Sequence, residues 1–172
     1  MNHKTNQDKK RKIGGNCRQS IAEVRKNLPV YKFREQICEK ILQNDVVLVM
    51  AETGSGKSTQ IPQYLLDIPS LRKSSVHALC VTQPRRVAAV TVAKRVAQER
   101  NCRLGTEVGY RVRFDDKTNM GTRLIYATDG MLLRQAMLDP LLSAYSVILL
   151  DEAHERSLQT DVLVRPCPVV VT

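Results

Sequence analysis

Short apolar runs alternate with helical stripes along this chain. Val46-Val47-Leu48-Val49-Met50 is a continuous apolar run, as are Arg123 to Ala127 past its first residue and Ser146-Val147-Ile148-Leu149-Leu150 past its serine, and Val76 to Val81 reads as a further strand. Runs of this length, rich in branched residues, predict strands buried on both faces. Val108, Tyr110 and Val112 alternate with Gly109, Arg111 and Arg113, which predicts a strand with a basic outer face. Phe114-Asp115-Asp116 then reads as a loop. Leu28-Pro29-Val30 opens the ordered part, and Phe33, Ile37, Cys38, Ile41 and Leu42 share one helix face. A second helix follows residue 58 to about Asp67, with Pro62 kinking it or marking its first turns. Residues 67 to 75 read as a polar connection. A third helix runs from Val87 to about Glu99. A fourth, Met131 to Leu138, can be capped by Thr128 or Asp129 and is broken by Asp139-Pro140. A last helix is predicted from about Ser157, stopped by Arg165-Pro166-Cys167-Pro168. Strands alternating with helices predict an α/β domain with a mainly parallel sheet, whose functional loops lie at the strand carboxyl ends.

Chemistry enters between the first strand and its helix, at Ala51-Glu52-Thr53-Gly54-Ser55-Gly56-Lys57-Ser58. Strand, glycine-rich loop, Lys-Ser and helix form the context of a phosphate-binding P-loop, in which successive N–H groups and the positive helix end face phosphate oxygens. Gly54 and Gly56 allow the close backbone approach. Lys57 would reach the β- and γ-phosphates, and Ser58 would offer its hydroxyl to Mg²⁺. Glu52, Thr53, Ser55 and Thr59 complete the nucleotide-binding stretch. Ala51 stands where the pattern starts with Gly, harmless if an ordinary φ suffices there. A plain Gly/Ser turn is the alternative.

The strand at 146–150 ends in Asp151-Glu152-Ala153-His154. With a P-loop upstream, Asp151 would hold Mg²⁺ directly or through water, and Glu152 would act as general base toward the attacking water. Alone, such a pair is as readily a helix N-terminus. His154 reads as structural on this evidence. Arg85 and Arg86, behind Pro84, either clamp phosphates or are solvated, and Thr128 either offers a phosphate site or simply caps its helix. Gln36 reads as a surface residue.

Composition narrows the partners. The 172 residues carry 27 Lys and Arg against 17 Asp and Glu, a net charge of +10, which favours a polyanionic partner. Aromatics are only 4% and Trp is absent, so contact with nucleic acid should be to backbone rather than stacked bases. No apolar run reaches the roughly 20 residues of a membrane span, and no secretory signal is visible. Cys17, Cys38, Cys80, Cys102 and Cys167 are scattered, as in a reducing compartment. Residues 1–27 are polar and basic and predicted to be a disordered tail. Lys9-Lys10-Arg11-Lys12 within it reads as a nuclear address, an RNA-touching arm, or solvated tail.

Taken together, residues 51–58, Thr82 to Ala89, Gly109 to Asp116, Thr128 to Arg134 and Asp151 to Ser157 resemble, in order and spacing, the first RecA-like domain of a DEAH-box RNA helicase. The resemblance covers roughly residues 28–164. Tyr110 to Asp116 and the short N-terminus resemble compact members close to the nucleolar DEAH helicases. It implies ATP, with other NTPs accepted, together with Mg²⁺, and NTP-dependent RNA unwinding or remodelling. It further implies RNA-backbone contacts from Arg85, Arg86, Arg113 and Thr128, stacking of Arg95 on the nucleotide base, and coupling of phosphate state to RNA grip by His154. RNA is the implied partner, with a protein activator in addition, and the protein is expected to be a monomer. The nucleus, or nucleolus, is the implied location, with cytoplasm as the alternative.

The family's second RecA-like domain and its Ser-Ala-Thr motif are not found, so the domain is expected to be C-terminally incomplete, with 165–172 an aberrant end. The strand that carries that motif belongs between the strands at 46–50 and 146–150, and Val169 to Thr172 is not expected to fill the gap. Unwinding by this chain alone is therefore not expected, and hydrolysis should be slow or absent. Two rivals stand: another P-loop NTPase, which leaves Thr82–Arg86 and Thr128–Arg134 unexplained, and a non-catalytic product that binds RNA or a partner through its basic face.

Overall fold

A computed structural model describes residues 21–72, 77–153 and 169–171. Seven strands form one sheet: β1 (Val46–Leu48), β2 (Ala78–Gln83), β3 (Val108–Val112), β4 (Asp115–Lys117), β5 (Leu124–Thr128), β6 (Tyr145–Leu150) and β7 (Val169–Val171). Their order is β1-β7-β6-β2-β5-β3-β4, and every neighbouring pair is parallel except β3–β4. The helices are α1 (Ile21–Lys26), α2 (Arg34–Gln43), α3 (Lys57–Leu66), α4 (Pro69–Arg72), α5 (Arg86–Glu99) and α6 (Asp129–Leu138), with a 3-10 turn at Pro29–Phe33 ahead of α2.

The inner strands are apolar throughout because both of their faces are covered. Leu79, Val81, Leu124, Tyr126, Val147 and Leu149 pack with Ile61 and Leu65 of α3 and with Ala89, Ala93 and Val96 of α5. The residues between them, Cys80, Ile125, Ala127, Ile148 and Leu150, face the other way, onto Leu132 of α6 and Leu142. A parallel strand alternates its side chains between two helical layers, so neither set can be polar. Burial pushes the Cys80 thiol up to about 12, which leaves it a neutral core residue.

Several expectations change. The run at 46–50 is no buried central strand: β1 covers only Val46–Leu48 at the sheet edge, and Val46, Leu48 and Met50 are largely exposed. Asp115–Lys117, read as loop, is strand β4. Phe114 takes a left-handed φ of 64° and turns the chain back along β3, and a Cβ on Gly109 would collide with the Lys117 carbonyl. On the outer face of β3 Gly109 is buried, Arg111 is half-buried and only Arg113 is exposed, so that face is only partly basic. Val169–Val171 does occupy the gap between β1 and β6, in register with both. Three β-branched residues suffice there because a slot with a strand on each side satisfies backbone donors and acceptors from both directions.

The stretch predicted to be disordered includes α1, tied down by Arg25, which bonds Gln60 and pairs with Glu99. On α2, Ile41 is buried and Ile37 and Cys38 are half-buried, while Leu42 and, at the end of the 3-10 turn, Phe33 are exposed, so the apolar stripe is narrower than its spacing suggested. The helix predicted from Ser157 and residues 165–168 lie outside the described residues. Among the described residues, no helix is long and apolar enough to cross a membrane.

Candidate functional site

Parallel strands align their carboxyl ends, so the loops after β1, β2, β5 and β6 emerge along one edge of the sheet. The loop after β1 is the glycine-rich one. Gly54 and Gly56 both take left-handed φ values, 81° and 96°, and Gly56 is the N-cap of α3. A Cβ on Gly56 would press on Leu28 Cδ1 at 3.0 Å, whereas one on Gly54 would meet nothing within 4 Å. Gly56 is thus needed for packing as well as conformation, and Gly54 borders open space. The Lys57 ammonium folds back on the loop, donating to the carbonyls of Ala51 at 2.6 Å and Glu52 at 3.1 Å. The Ser55 N–H closes a turn onto the Glu52 carbonyl, and the Ser55 carbonyl accepts from the Val30 N–H, which ties the loop to the 3-10 turn.

The loop fits a bound polyphosphate on two counts. Gly54 leaves space against the backbone, and the buried Ser55 Oγ has no hydrogen-bond partner among the described residues. Among the described residues no three His, Cys, Asp or Glu side chains form a metal cluster. A Mg²⁺ ion here would be held by one hydroxyl, Ser58, one carboxylate, Asp151, and phosphate oxygens, the usual arrangement for an ion that keeps several waters.

At the end of β6 Asp151 is buried and firmly oriented. It accepts a hydrogen bond from Gln83 Nε2, at the end of β2, and its Oδ1 accepts the Glu152 N–H at 3.0 Å. Glu152 adopts a left-handed φ of 54°, an uncommon backbone state for a non-glycine residue, often found at functional sites. His154 lies outside the described residues.

The basic residues stand further along the same edge. Arg85 is the N-cap of α5 and Arg86 its first residue, both exposed, and Arg86 pairs with Asp115 at 3.7 Å. Thr128 is the N-cap of α6 but makes no capping bond with its side chain, and it sits beside Gln83 in the β2–β5 register. Arg113 lies over the ring of the exposed Phe114, 4.9 Å from its centroid, at the β3–β4 turn. Arg95, on the exposed face of α5, is held by Glu99 at 2.7 Å. Gln36 is exposed, as expected of a surface residue.

Residues not singled out in the sequence also belong to this site. Gln83 orients Asp151, and Tyr126 donates to the Ser58 carbonyl. Gln83 lies inside the run Thr82–Arg86, a usable signal. Tyr126 gave none, being one apolar-looking residue in a strand.

Sheet order and helical layers are those of a RecA-like α/β domain. Residues 31–162 match the family model for DEAD/DEAH box helicase, and the chain belongs to that family. It is 54% identical over 146 residues to the pre-mRNA-splicing factor ATP-dependent RNA helicase DEAH10 of Arabidopsis thaliana, an alignment covering 85% of this chain and 20% of that protein. It is 55% identical over 144 residues to the pre-mRNA-splicing factor ATP-dependent RNA helicase prp22 of Schizosaccharomyces pombe, covering 84% and 12%. To the probable ATP-dependent RNA helicase DHX35 of Homo sapiens it is 56% identical over 146 residues, covering 84% and 20%. The chain therefore spans a fifth or less of the length of these relatives.

Proposed function

We propose that this chain is the N-terminal nucleotide-binding part of an ATP-dependent RNA helicase of the DEAH type, holding Mg·ATP in the 51–58 loop and RNA backbone along the neighbouring basic edge. The observation that carries this reading is Lys57. Its ammonium sits on two carbonyls of its own loop, beside left-handed Gly54 and Gly56, a poised cation that phosphate oxygens can recruit. Bound Mg·ATP supplies a phosphoanhydride and a divalent charge that offsets its oxygens.

The chain's own groups do the rest. The loop N–H groups from Gly54 to Ser58 bind phosphate oxygens, and Lys57 exchanges the Ala51 and Glu52 carbonyls for them. Ser58 and Asp151 are the metal-side ligands, with Asp151 held in one orientation by Gln83. Glu152 orients the attacking water and accepts its proton, and His154, the next polar group in the motif, couples phosphate state to RNA grip. Glu52, Thr53, Ser55 and Thr59 shape the loop, and the Arg95 guanidinium stacks on the base, which allows NTPs other than ATP. Arg85, Arg86, Arg113 and Thr128 contact RNA phosphates, so recognition is independent of sequence.

Strand separation in this reading is done together with a second RecA-like domain, so the isolated chain binds nucleotide and RNA but turns over slowly or not at all. It acts as a monomer, with a protein activator as further partner. Relatives named as pre-mRNA-splicing factors, and the Lys9–Lys12 cluster, support a nuclear location.

The test is a thermal melt of the 172-residue chain with and without Mg·ADP, since a ligand that binds only the native state raises the melting point. An upward shift in the wild type and none in Lys57→Ala supports the proposal. An equal shift in both would place the ligand elsewhere and overturn it.

A further inference from the structure

Glu99, the last residue of α5, is separated from the 51–58 loop by a whole helix, yet its side chain is only 3% exposed and it carries a carboxylate. It is buried because α3 brings two donors to it. Gln60 Nε2 reaches Glu99 Oε2 at 2.9 Å and Gln63 Nε2 reaches the same oxygen at 2.8 Å. Both glutamines are completely buried. Arg95 Nε donates to the other oxygen at 2.7 Å, and Arg25 approaches at 3.6 Å. Burial alone would push this carboxyl up, but the hydrogen bonds from Gln60, Arg95 and Gln63, with the charge of Arg95, outweigh it and hold it below its ordinary value.

The network does not stop at α3. Gln60 Nε2 also donates to Thr59 Oγ1 at 2.9 Å, which leaves the threonine hydroxyl its own proton to give to the Gly56 carbonyl at 3.3 Å. Gln63 Nε2 also holds the Thr59 carbonyl at 2.9 Å. A carboxylate cannot donate, so Glu99 fixes which way the two buried amides face, together with the Arg25 donor on Gln60 Oε1 and the Thr59 carbonyl that accepts from Gln63. A continuous hydrogen-bonded chain thus runs from Glu99 through Gln60 and Thr59 to Gly56, the left-handed residue immediately before Lys57.

We propose that Glu99 is a positioning residue for the phosphate loop, setting the Gly56–Thr59 turn from the opposite helix through Gln60 and Gln63. The inference rests on the reading that this loop binds nucleotide phosphates and adds to it a residue outside the loop. A mere clamp between α3 and α5 would contribute stability only. A positioning residue changes phosphate affinity in molecules that are already folded.

The experiment measures dissociation constants of the full chain for Mg·ADP and for Mg·tripolyphosphate, well below each variant's melting temperature. Glu99→Gln keeps the volume but turns one acceptor into a donor. Both constants are expected to weaken, by about tenfold, as for other supporting residues of ligand sites. Should Glu99→Gln fold poorly, Gln60→Met, which cuts the relay while leaving Glu99 with Gln63 and Arg95, is expected to do the same. A lower melting temperature with both constants unchanged would reduce Glu99 to a clamp and overturn the proposal. Weakened ADP with unchanged tripolyphosphate would place its action on Arg95 instead, and equally overturn it. Lys57→Ala separates the two levels. If that variant binds tripolyphosphate as the wild type does, the loop reading itself fails. If it loses binding while Glu99→Gln does not, only the role of Glu99 fails.

Discussion

The phenol of Tyr126, buried in β5, donates to the backbone carbonyl of Ser58 at 2.9 Å. In α3 that carbonyl would ordinarily accept the N–H four residues on, but that residue is Pro62, which has none. A strand side chain therefore supplies the donor that the helix lacks, and Pro62 sits in the helix interior without leaving Ser58 unpaired. Tyr126→Phe removes that donor and nothing else of size. It is expected to cost about 1–2 kcal/mol, the lower part of the range for a carbonyl left unpaired, because Ser58 is only half-buried. The melting point should fall by about 2–8 °C, with the denaturant m-value unchanged.

Gly54 and Gly56 should respond differently to alanine. Each lies in the left-handed region, where a Cβ costs about 1–2 kcal/mol. At Gly56 the new methyl also meets Leu28, Gln60 and Val30 at 3.0–3.2 Å, adding about 1–3 kcal/mol of overpacking. At Gly54 it points into open space, where the proposal puts phosphate. Denaturant titration should rank Gly56→Ala below Gly54→Ala in stability. Thermal shift with Mg·ADP should show Gly54→Ala folded but without stabilisation by the ligand.

The parts legible in the sequence are those set by local pattern. The apolar runs of β2, β5 and β6 announce strands covered on both faces, and Gly54 to Ser58 carries its chemistry within a few residues. What was not legible depends on partners far away in sequence. Asp115–Lys117 is charged and short, and becomes a strand only because Phe114 turns left-handed and Gly109 lets the Lys117 backbone approach. Val169–Val171 is plainly β-prone, but the slot between β1 and β6 is a property of the sheet, not of those residues. Glu99 at a helix end reads as a solvated charge until α3 delivers Gln60 and Gln63 to it.

Glu99 also gives a sign to the acid behaviour. Its carboxyl in the folded chain lies below the ordinary value of 4.5, so folding releases its proton more readily than the unfolded chain does. The stabilisation is fully present above that ordinary value and is lost as the pH falls through the lower, folded one. Urea titrations of wild type and Glu99→Gln over a pH series should show a constant difference at neutral pH. The gap should begin to close below 4.5 and shrink further into acid. A gap that does not change with pH would mean that the carboxylate charge does not contribute.

The exposed arginines beside the site make a prediction in salt. Arg86 pairs with Asp115 at 3.7 Å with more than half of its side chain in water, so breaking that pair costs about 0–1 kcal/mol. It can therefore move to a phosphate at little expense. If Arg86 binds RNA backbone as proposed, Arg86→Ala should weaken single-stranded RNA to a similar degree whatever its sequence. The slope of log K against log salt should become shallower by about 0.7, the value for one released counterion on a single strand. Fluorescence anisotropy over a salt series measures both. A loss confined to particular sequences would indicate base readout, and an unchanged slope would remove Arg86 from the RNA path. Arg85→Ala should add a second step of the same size, because two arginines that each neutralise a separate phosphate contribute independently.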